Sequence, residues 1–207
     1  MLIFNYALFR WENKEENYMD KKFYDLLEAN PVIAGIKDMD GLHACCPVEE
    51  IKVVFILFGD ICNISNIVKQ VKDAKKIAMV HRDLITGLSS KDVAVDYIKE
   101  NTLADGIIST RSALIKRANE LSMYTTLRVF VLDSMAFDNI KHQMAIAKPD
   151  IIEILPGLMP KVISMVCRLV KVPVIAGGLI SQKEDVVAAL SAGAISVSTT
   201  NPKVWLM

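Results

Sequence analysis

Residues 173–201 read PVIAGGLISQKEDVVAALSAGAISVSTTN, and this stretch contains one complete structural unit. A β-branched apolar run at 174–176 ends in two glycines, a helical stretch follows at 182–191, and a second apolar run occupies 194–198. Continuous apolar runs are typical of strands that are buried on both faces, and the stretch between them has the length of a crossover helix. The order predicts a strand–helix–strand unit of a parallel sheet.

The helix of this unit has recognisable end signals. Ser181 is the predicted N-cap, and Glu184 three residues later completes a capping box. Gly193 ends the helix, because glycine readily adopts the left-handed conformation that follows a helix. Apolar stripes with helical spacing predict further helices at 63–73, 90–100 and 161–170.

The same unit recurs along the chain, at spacings of about 20 to 30 residues. Eight strand–helix units can close into a barrel, so the sequence predicts the α/β class and a compact TIM-type (β/α)8 barrel. An open, doubly wound sheet is the alternative architecture, but no G-x-G-x-x-G motif follows the first strand. The eight predicted strands are 31–36, 53–58, 77–80, 106–109, 127–132, 151–155, 174–176 and 194–198.

Length and composition limit the domain organisation and the compartment. The 207 residues fit one domain, predicted at 20–207, with 1–19 as a poorly ordered N-terminal extension outside the repeat. Residues 1–10 are apolar but too short to span a bilayer, and no signal-peptide cleavage site follows them. Four cysteines without metal-ligand spacing predict reduced thiols in a cytoplasmic protein. Equal numbers of basic and acidic residues, 24 each, do not indicate a strongly basic nucleic-acid surface.

The loops after strands seven and eight predict a phosphate site. Backbone N–H groups near glycines can approach an anion closely, and hydroxyl groups add donors. In (β/α)8 barrels these two loops commonly bind phosphate, whereas the simpler interpretation is two tight turns with capping residues. The predicted phosphate-binding residues are Gly177, Gly178, Ser198 and Thr199.

Polar residues follow nearly every other strand, where the mouth of such a barrel lies. His81 and Asp83 are two residues apart, so on an extended strand they would both point into the mouth. Glu153 lies within a buried strand and needs a partner, for which Lys37 or Arg111 is suitable. The residues predicted to face the polyol side of a ligand are Lys37, His81, Asp83, Ser109, Arg111, Asp133 and Glu153.

No cofactor is indicated and no metal-binding cluster is visible in the sequence. Basic residues, Arg128 among them, are mostly assigned to solvated helix surfaces, although they are also able to contact RNA phosphates.

Several segments along the chain are distinctive: HRDLITGL at 81–88, ADGIISTR at 104–111, LDS at 132–134, KPD at 148–150, EILPG at 153–157, IAGGLI at 175–180 and VST at 197–199. In this order they resemble the glycerol uptake operon antiterminator regulatory protein family. The resemblance runs from about residue 21 to residue 207, and the N-terminal segment FYDLLEANPVIAGIKD agrees with it. The chain departs from the family pattern at Arg82, where a small or apolar residue is expected. The Arg82 side chain should point away from the pocket. Residues 1–19 have no recognised counterpart in the family.

The resemblance implies a cytoplasmic (β/α)8 barrel that senses glycerol 3-phosphate and has no enzymatic activity. It implies action on the leader mRNA of glycerol-utilisation genes, where the protein lets transcription pass a terminator. It implies no membrane partner, and it leaves open whether the protein forms a homo-oligomer. Two alternatives remain, since fold does not decide function: an isomerase or synthase acting on a small phosphorylated metabolite, and a barrel that serves only protein interaction.

Overall fold

The computed structural model describes residues 21–207, in which eight parallel strands close into a barrel. Each strand pairs with the next one in sequence, and the first pairs with the eighth through Ile33 and Ser198. This closure confirms the predicted (β/α)8 barrel and excludes the open doubly wound sheet. The strands are β1 (Val32–Ile36), β2 (Val53–Ile56), β3 (Ile77–His81), β4 (Gly106–Ser109), β5 (Tyr124–Phe130), β6 (Ile151–Leu155), β7 (Val174–Gly177) and β8 (Ser196–Thr199).

Helices surround the barrel and connect its strands. From Lys21 onward one helix precedes β1, and a 3-10 turn at Arg82–Leu84 follows β3. Within the described residues the helices are α1 (Lys21–Ala29), α2 (Met39–Cys45), α3 (Ile64–Asp73), α4 (Val93–Asn101), α5 (Ser112–Glu120), α6 (Ser134–Ala147), α7 (Pro160–Leu169), α8 (Lys183–Ser191) and α9 (Pro202–Trp205).

Side-chain alternation along the strands separates two layers of core. On β6, Ile151 faces the barrel interior, whereas Ile152 packs outward against the helices. The interior is apolar near the N-terminal ends of the strands, where Phe23 and Leu27 of α1 are buried against it. The ring of Phe23 stacks on Tyr124 with centroids 4.2 Å apart. Helix α1 therefore closes the bottom of the barrel and leaves the opposite end as the mouth.

The four predicted helix starts are all displaced in the structure, by one residue for α3, α7 and α8 and by three for α4. Helix α8 begins after Gln182 rather than Ser181, and the carboxylate that completes its capping box belongs to Asp185 rather than Glu184. The Asp185 carboxylate accepts the backbone N–H groups of both Ser181 and Gln182. Several neighbouring residues are able to cap this helix. Which of them becomes the N-cap therefore depends on how the preceding loop leaves β7. Helix α4 begins at Val93, three residues later than the predicted 90–100.

The predicted boundary between extension and barrel lies outside the described residues. The structure describes residues from Lys21 onward, so the domain start at residue 20 and the extension at 1–19 stay predictions. No helix of residues 21–207 is long and apolar enough to span a membrane.

Candidate ligand-binding site

The mouth of the barrel is lined by the inward-facing residues at the C-terminal ends of the strands. Unlike the apolar layers below, this level contains charged and polar side chains that are almost completely buried. Strand alternation places the following residues at this level: Leu57 of the loop after β2, His81, Arg128, Glu153, Gly177 and Ser198.

An ion pair between β5 and β6 is the centre of this polar layer. Arg128 and Glu153 are register neighbours, and the Nε of Arg128 donates to Oε2 of Glu153 at 2.5 Å. Ser198 donates its hydroxyl to the other carboxylate oxygen, also at 2.5 Å. Glu153 is 0% exposed and Arg128 8% exposed. A buried carboxylate is tolerated only with such partners, because an unpaired charge in the interior loses its hydration.

The prediction that Lys37 or Arg111 pairs with Glu153 is wrong. Lys37 follows β1 and Arg111 follows β4, and both side chains are exposed at the rim. Arg128 lies in the predicted strand 127–132 but has no place in the predicted site, whereas the structure turns its side chain into the barrel interior. The pattern that identifies Arg128 is its alternation: Leu127 and Val129 pack outward against the helices, so the residue between them must point inward.

The Glu153 carboxylate leaves no room for a side chain at position 177. A Cβ at this position would lie 2.5 Å from Oε1 of Glu153 and 2.5 Å from Oγ of Ser198, closer than real Cβ contacts allow. Only glycine therefore lets β7 pass beside the Glu153–Ser198 hydrogen bond. The next two residues, Gly178 and Leu179, have φ of 77° and 65°, so the chain leaves β7 in a left-handed conformation.

The two hydroxyl-bearing residues predicted to bind phosphate point in opposite directions. Ser198 faces the interior and donates to Glu153, as described above. Thr199 faces outward, donates to the carbonyl of Ile180 at 2.7 Å and accepts the N–H of Asn201. The hydroxyl of Thr199 thus joins the loops after β7 and β8 to each other.

His81 ends β3 and faces the mouth. Its side chain is 3% exposed, and its Nδ1 is buried without a hydrogen-bond partner among the described residues. Burial lowers the pKa of His81 from 6.5 to about 4, and the positive charge of Arg128 adds to the shift, against an opposing effect of Asp83. At neutral pH the imidazole is therefore uncharged.

Asp83 lies beyond the end of the strand on which its predicted orientation depended. Strand β3 ends at His81, and Asp83 lies in the 3-10 turn that follows, so the two-residue alternation of a strand no longer applies. Its carboxylate accepts the N–H of Thr110 at 2.8 Å and the hydroxyl of Ser109 at 3.0 Å. Burial alone would raise the pKa of Asp83, but these hydrogen bonds outweigh it and lower that pKa. Asp83 and Ser109 therefore hold the turns after β3 and β4 together.

The neighbouring Arg82 is buried as well. Its Nη1 contacts the Asp83 carboxylate at 3.2 Å, so the 3-10 turn contains an ion pair between adjacent residues. Its Nε and Nη2 are buried without a hydrogen-bond partner among the described residues.

The three remaining predicted residues lie at the exposed rim. Asp133 is the N-cap of α6, where its carboxylate accepts the N–H of Ala136 at 2.8 Å. Arg111 donates from Nη1 to the carbonyl of Ser90 at 3.3 Å. Lys37 is exposed immediately before the N-cap of α2, Asp38. The structure thus places His81 and Glu153 at the floor of the mouth, and these three residues above it.

Two other site classes have no support within residues 21–207. No group of three or more His, Cys, Asp or Glu side chains in this part of the chain is arranged to hold a metal ion. None of the four cysteines, all of which lie within the described residues, forms a disulfide. Burial, with a contribution from Cys46, raises the pKa of Cys45 to about 12. The thiol of Cys45 is therefore protonated at neutral pH and unreactive.

Comparison with known proteins gives consistent matches over the whole barrel. A family model described as a glycerol-3-phosphate responsive antiterminator matches residues 32–205, which include all eight strands. A protein of Escherichia coli (strain K12), named YgcP and described as uncharacterized, is 45% identical over 182 residues, which make up 88% of this chain and 95% of that protein.

Two crystal structures share both the fold and substantial sequence identity. One is a glycerol uptake operon antiterminator regulatory protein from Listeria monocytogenes, with 30% identity and a TM-score of 0.81 over 84% of this chain and 94% of that chain. The other is a glycerol uptake operon antiterminator-related protein from Thermotoga maritima, with 31% identity and a TM-score of 0.76 over 86% of this chain and 99% of that chain.

Proposed function

Because the chain belongs to the glycerol-3-phosphate responsive antiterminator family, we propose that it senses glycerol 3-phosphate and acts on the leader mRNA of glycerol-utilisation genes. The observation that carries this proposal is the family match at 32–205, which spans the whole barrel and every residue of its mouth. With ligand bound, the protein lets transcription continue past a terminator in the leader.

The loops after β7 and β8 are the proposed phosphate site. Gly178 and Leu179 leave β7 with positive φ, which turns the backbone at the position where (β/α)8 barrels commonly hold phosphate. Gly177, Ser198 and Thr199 shape this site rather than serve as free donors, because both hydroxyls are engaged within the protein. Backbone N–H groups of the two loops are the proposed donors to the anion.

The glycerol end of the ligand is proposed to face the floor of the mouth, where His81 and Glu153 lie. Lys37, Arg111 and Asp133 are proposed to act at the rim, where their exposed side chains can move toward a ligand. Asp83 and Ser109 act indirectly, since their hydrogen bonds position the turns that border the mouth.

The proposed response is a shift between two populations of the mouth loops. The loops after β7 and β8 are joined by Thr199 to Ile180 and by Asn201 to the carbonyl of Ser181 at 3.0 Å, so they respond to a ligand together. A ligand shifts such an equilibrium only through its different affinities for the two states.

Titration calorimetry of the protein with sn-glycerol 3-phosphate tests the ligand, with glycerol and inorganic phosphate as controls. Specific binding of glycerol 3-phosphate with weak or absent binding of both controls supports the sensor. Absence of binding contradicts it.

The antiterminator step is tested by measuring the affinity of the protein for the leader mRNA with and without the ligand. An affinity that does not change with the ligand contradicts the coupling.

Gly178→Asp tests the position of the phosphate. The variant places a carboxylate in the loop after β7, and repulsion of the phosphate should lower the affinity at least about a hundredfold, or about 3 kcal/mol. Gly193→Asp is the matched control, because Gly193 also has a positive φ, 107°, but precedes β8 at the opposite end of the barrel. Equal affinities of the two variants for glycerol 3-phosphate would show that the phosphate does not bind at the loop after β7.

An enzymatic function is the second candidate from the sequence, and the side-chain arrangement argues against it. That function requires an acid–base pair of Asp83 with Glu153 or Lys37. The Asp83 carboxylate is engaged by Ser109 and Thr110, and each oxygen of Glu153 holds a hydrogen bond. We therefore propose a regulator without turnover, and detection of a product after incubation with phosphorylated trioses would contradict this.

A further inference from the structure

We infer that Arg128, Glu153 and His81 form a floor without net charge that binds hydroxyl groups and rejects a second anionic group on the ligand. Arg128 is the new binding residue in this assignment, and Glu153 is the positioning residue that cancels its charge. The inference rests on the proposed function, because it concerns the part of the ligand that lies opposite the phosphate.

The geometry gives Arg128 free donors at the mouth. Its Nε is held by Glu153, but neither of its Nη groups donates a hydrogen bond to a residue of the described chain. Neither Nη is among the buried polar atoms that lack a partner, so both retain access to the open side of the floor. Five N–H donors in a planar fork allow Arg to hold a carboxylate with one edge and a ligand with the other.

His81 supplies the second contact. Its Nδ1 is buried without a hydrogen-bond partner among residues 21–207, and an unsatisfied buried nitrogen costs free energy unless a ligand or water completes its hydrogen bond. Because the imidazole is neutral, one ring nitrogen donates and the other accepts, and a hydroxyl group can match either one. Strand alternation turns His81 of β3 and Arg128 of β5 into the barrel at the level of the mouth, so both groups border the same space.

The charges of the floor cancel. Arg128 contributes one positive charge, Glu153 one negative charge and His81 none, while the adjacent Arg82 and Asp83 also form a pair. A hydroxyl group of a polyol exchanges hydrogen bonds with such a floor without adding charge. A carboxylate in its place would enter a poorly hydrated site whose one positive charge, on Arg128, is already cancelled by Glu153.

The floor therefore distinguishes glycerol 3-phosphate from 3-phosphoglycerate, which carries a carboxylate where glycerol 3-phosphate carries a terminal CH2OH group. The wild-type protein is expected to bind glycerol 3-phosphate at least about a hundredfold more tightly, since about 3 kcal/mol separates a matched polar contact from an unpaired buried charge. Comparable affinities for the two compounds would overturn the inference and leave the proposed function standing.

Glu153→Gln is the decisive variant. It keeps the shape and an acceptor for Arg128 but leaves the floor with one net positive charge. The preference for glycerol 3-phosphate over 3-phosphoglycerate should then fall at least about tenfold, mainly through tighter binding of 3-phosphoglycerate. Glu120→Gln is the matched control, because Glu120 pairs with Arg117 on the outer surface of α5, and its preference should equal that of the wild type.

His81→Phe provides an independent test if Glu153→Gln does not fold. It should weaken the binding of glycerol 3-phosphate about tenfold, the value of one hydrogen bond. Two analogues, each of which lacks one of the two hydroxyl groups of the ligand, then show which hydroxyl His81 contacts. The analogue without that hydroxyl should bind the variant and the wild type with equal affinity. An equal loss for both analogues, or an unchanged preference in Glu153→Gln, overturns the inference. If the wild-type protein binds none of these compounds, the proposed function itself fails, and that result is visible before any variant is made.

Discussion

Arg128 shows how one side chain can determine the chemistry of a barrel mouth. Its partner Glu153 was recognisable in the sequence as a carboxylate within a buried strand, but the partner of that carboxylate was not. The strand register brings Arg128 and Glu153 side by side, although 25 positions separate them in the chain. Removing only one member would leave a buried charge unpaired, which typically costs about 3–5 kcal/mol.

At the same scale, His81 predicts a pH dependence of stability. The pKa of His81 is about 4 in the folded protein and near 6.5 for an unperturbed histidine, so the unfolded chain binds a proton first as the pH falls. The free energy of unfolding should therefore decrease on acidification from 6.5 to about 4, by at most about 1.4 kcal/mol per pH unit.

Urea denaturation of the wild type and of His81→Phe at about pH 7 and about pH 5 measures this effect. The difference between the two pH values should be smaller in the variant. A variant with the same pH dependence as the wild type would show that other groups cause it. The lowered pKa of Asp83 acts separately, since its stabilising effect is lost only as the pH falls below 3.8 toward its own pKa.

At the scale of elements, the turns that follow the strands hold the mouth residues in place. The Asp83 carboxylate joins the turn after β3 to the turn after β4 through Ser109 and Thr110. At the other end of the barrel, Asp105 accepts the N–H of Ala78 and Asp150 accepts the N–H of Thr125, so carboxylates also join strand starts to neighbouring strands. Short strands of four or five residues depend on such connections.

Asp83→Asn should reduce the free energy of unfolding by about 2–3 kcal/mol, because the new amide group donates where Ser109 and Thr110 also donate. Amide hydrogen exchange at Thr110 should become faster. Asp133→Asn is the control, because Asn serves equally well as an N-cap and the change should cost less than about 0.5 kcal/mol. If both variants lost the same stability, Asp83 would be no more than another surface acid.

At the scale of the whole molecule, the barrel has one closed end and one polar end. Helix α1 covers the bottom through Phe23 and Leu27, and the backbone carbonyl of Leu27 accepts the hydroxyl of Ser196 from inside the barrel. The closed end keeps the apolar layers dry and leaves the mouth as the place where a ligand can meet buried polar groups. The family match, from 32 to 205, includes all eight strands and begins after α1.

The division between extension and barrel gives a prediction at this scale. We expect a chain that begins at Met19 to unfold at the same urea concentration as the full chain, because α1 starts at Lys21. Phe23→Ala should instead cost about 3–5 kcal/mol, the usual value for removing a buried aromatic ring. If removal of residues 1–18 costs as much as Phe23→Ala, those residues belong to the folded core.

The sequence by itself determined the number and order of the strands and the family of the chain. Strands buried on both faces must be continuously apolar, so 106–109 and 151–155 were predicted with the bounds that the structure shows. Local end signals were less informative, since Ser181 and Gln182 are both able to precede a helix. A helix start depends on how the preceding loop approaches it as well as on the capping residue.

Only the tertiary structure decided which polar groups meet. Arg128 pairs with Glu153 because barrel closure sets the register of β5 against β6. Asp83 meets Ser109 and Thr110 because β3 ends before it and a 3-10 turn follows. Gly177 and Ser198 were recognisable as parts of a site, but their contacts with Glu153 depend on three strands meeting at one level. Hydrogen bonds and ion pairs act over a few ångströms, and distances of that kind are set by packing between distant segments rather than by neighbours in the chain.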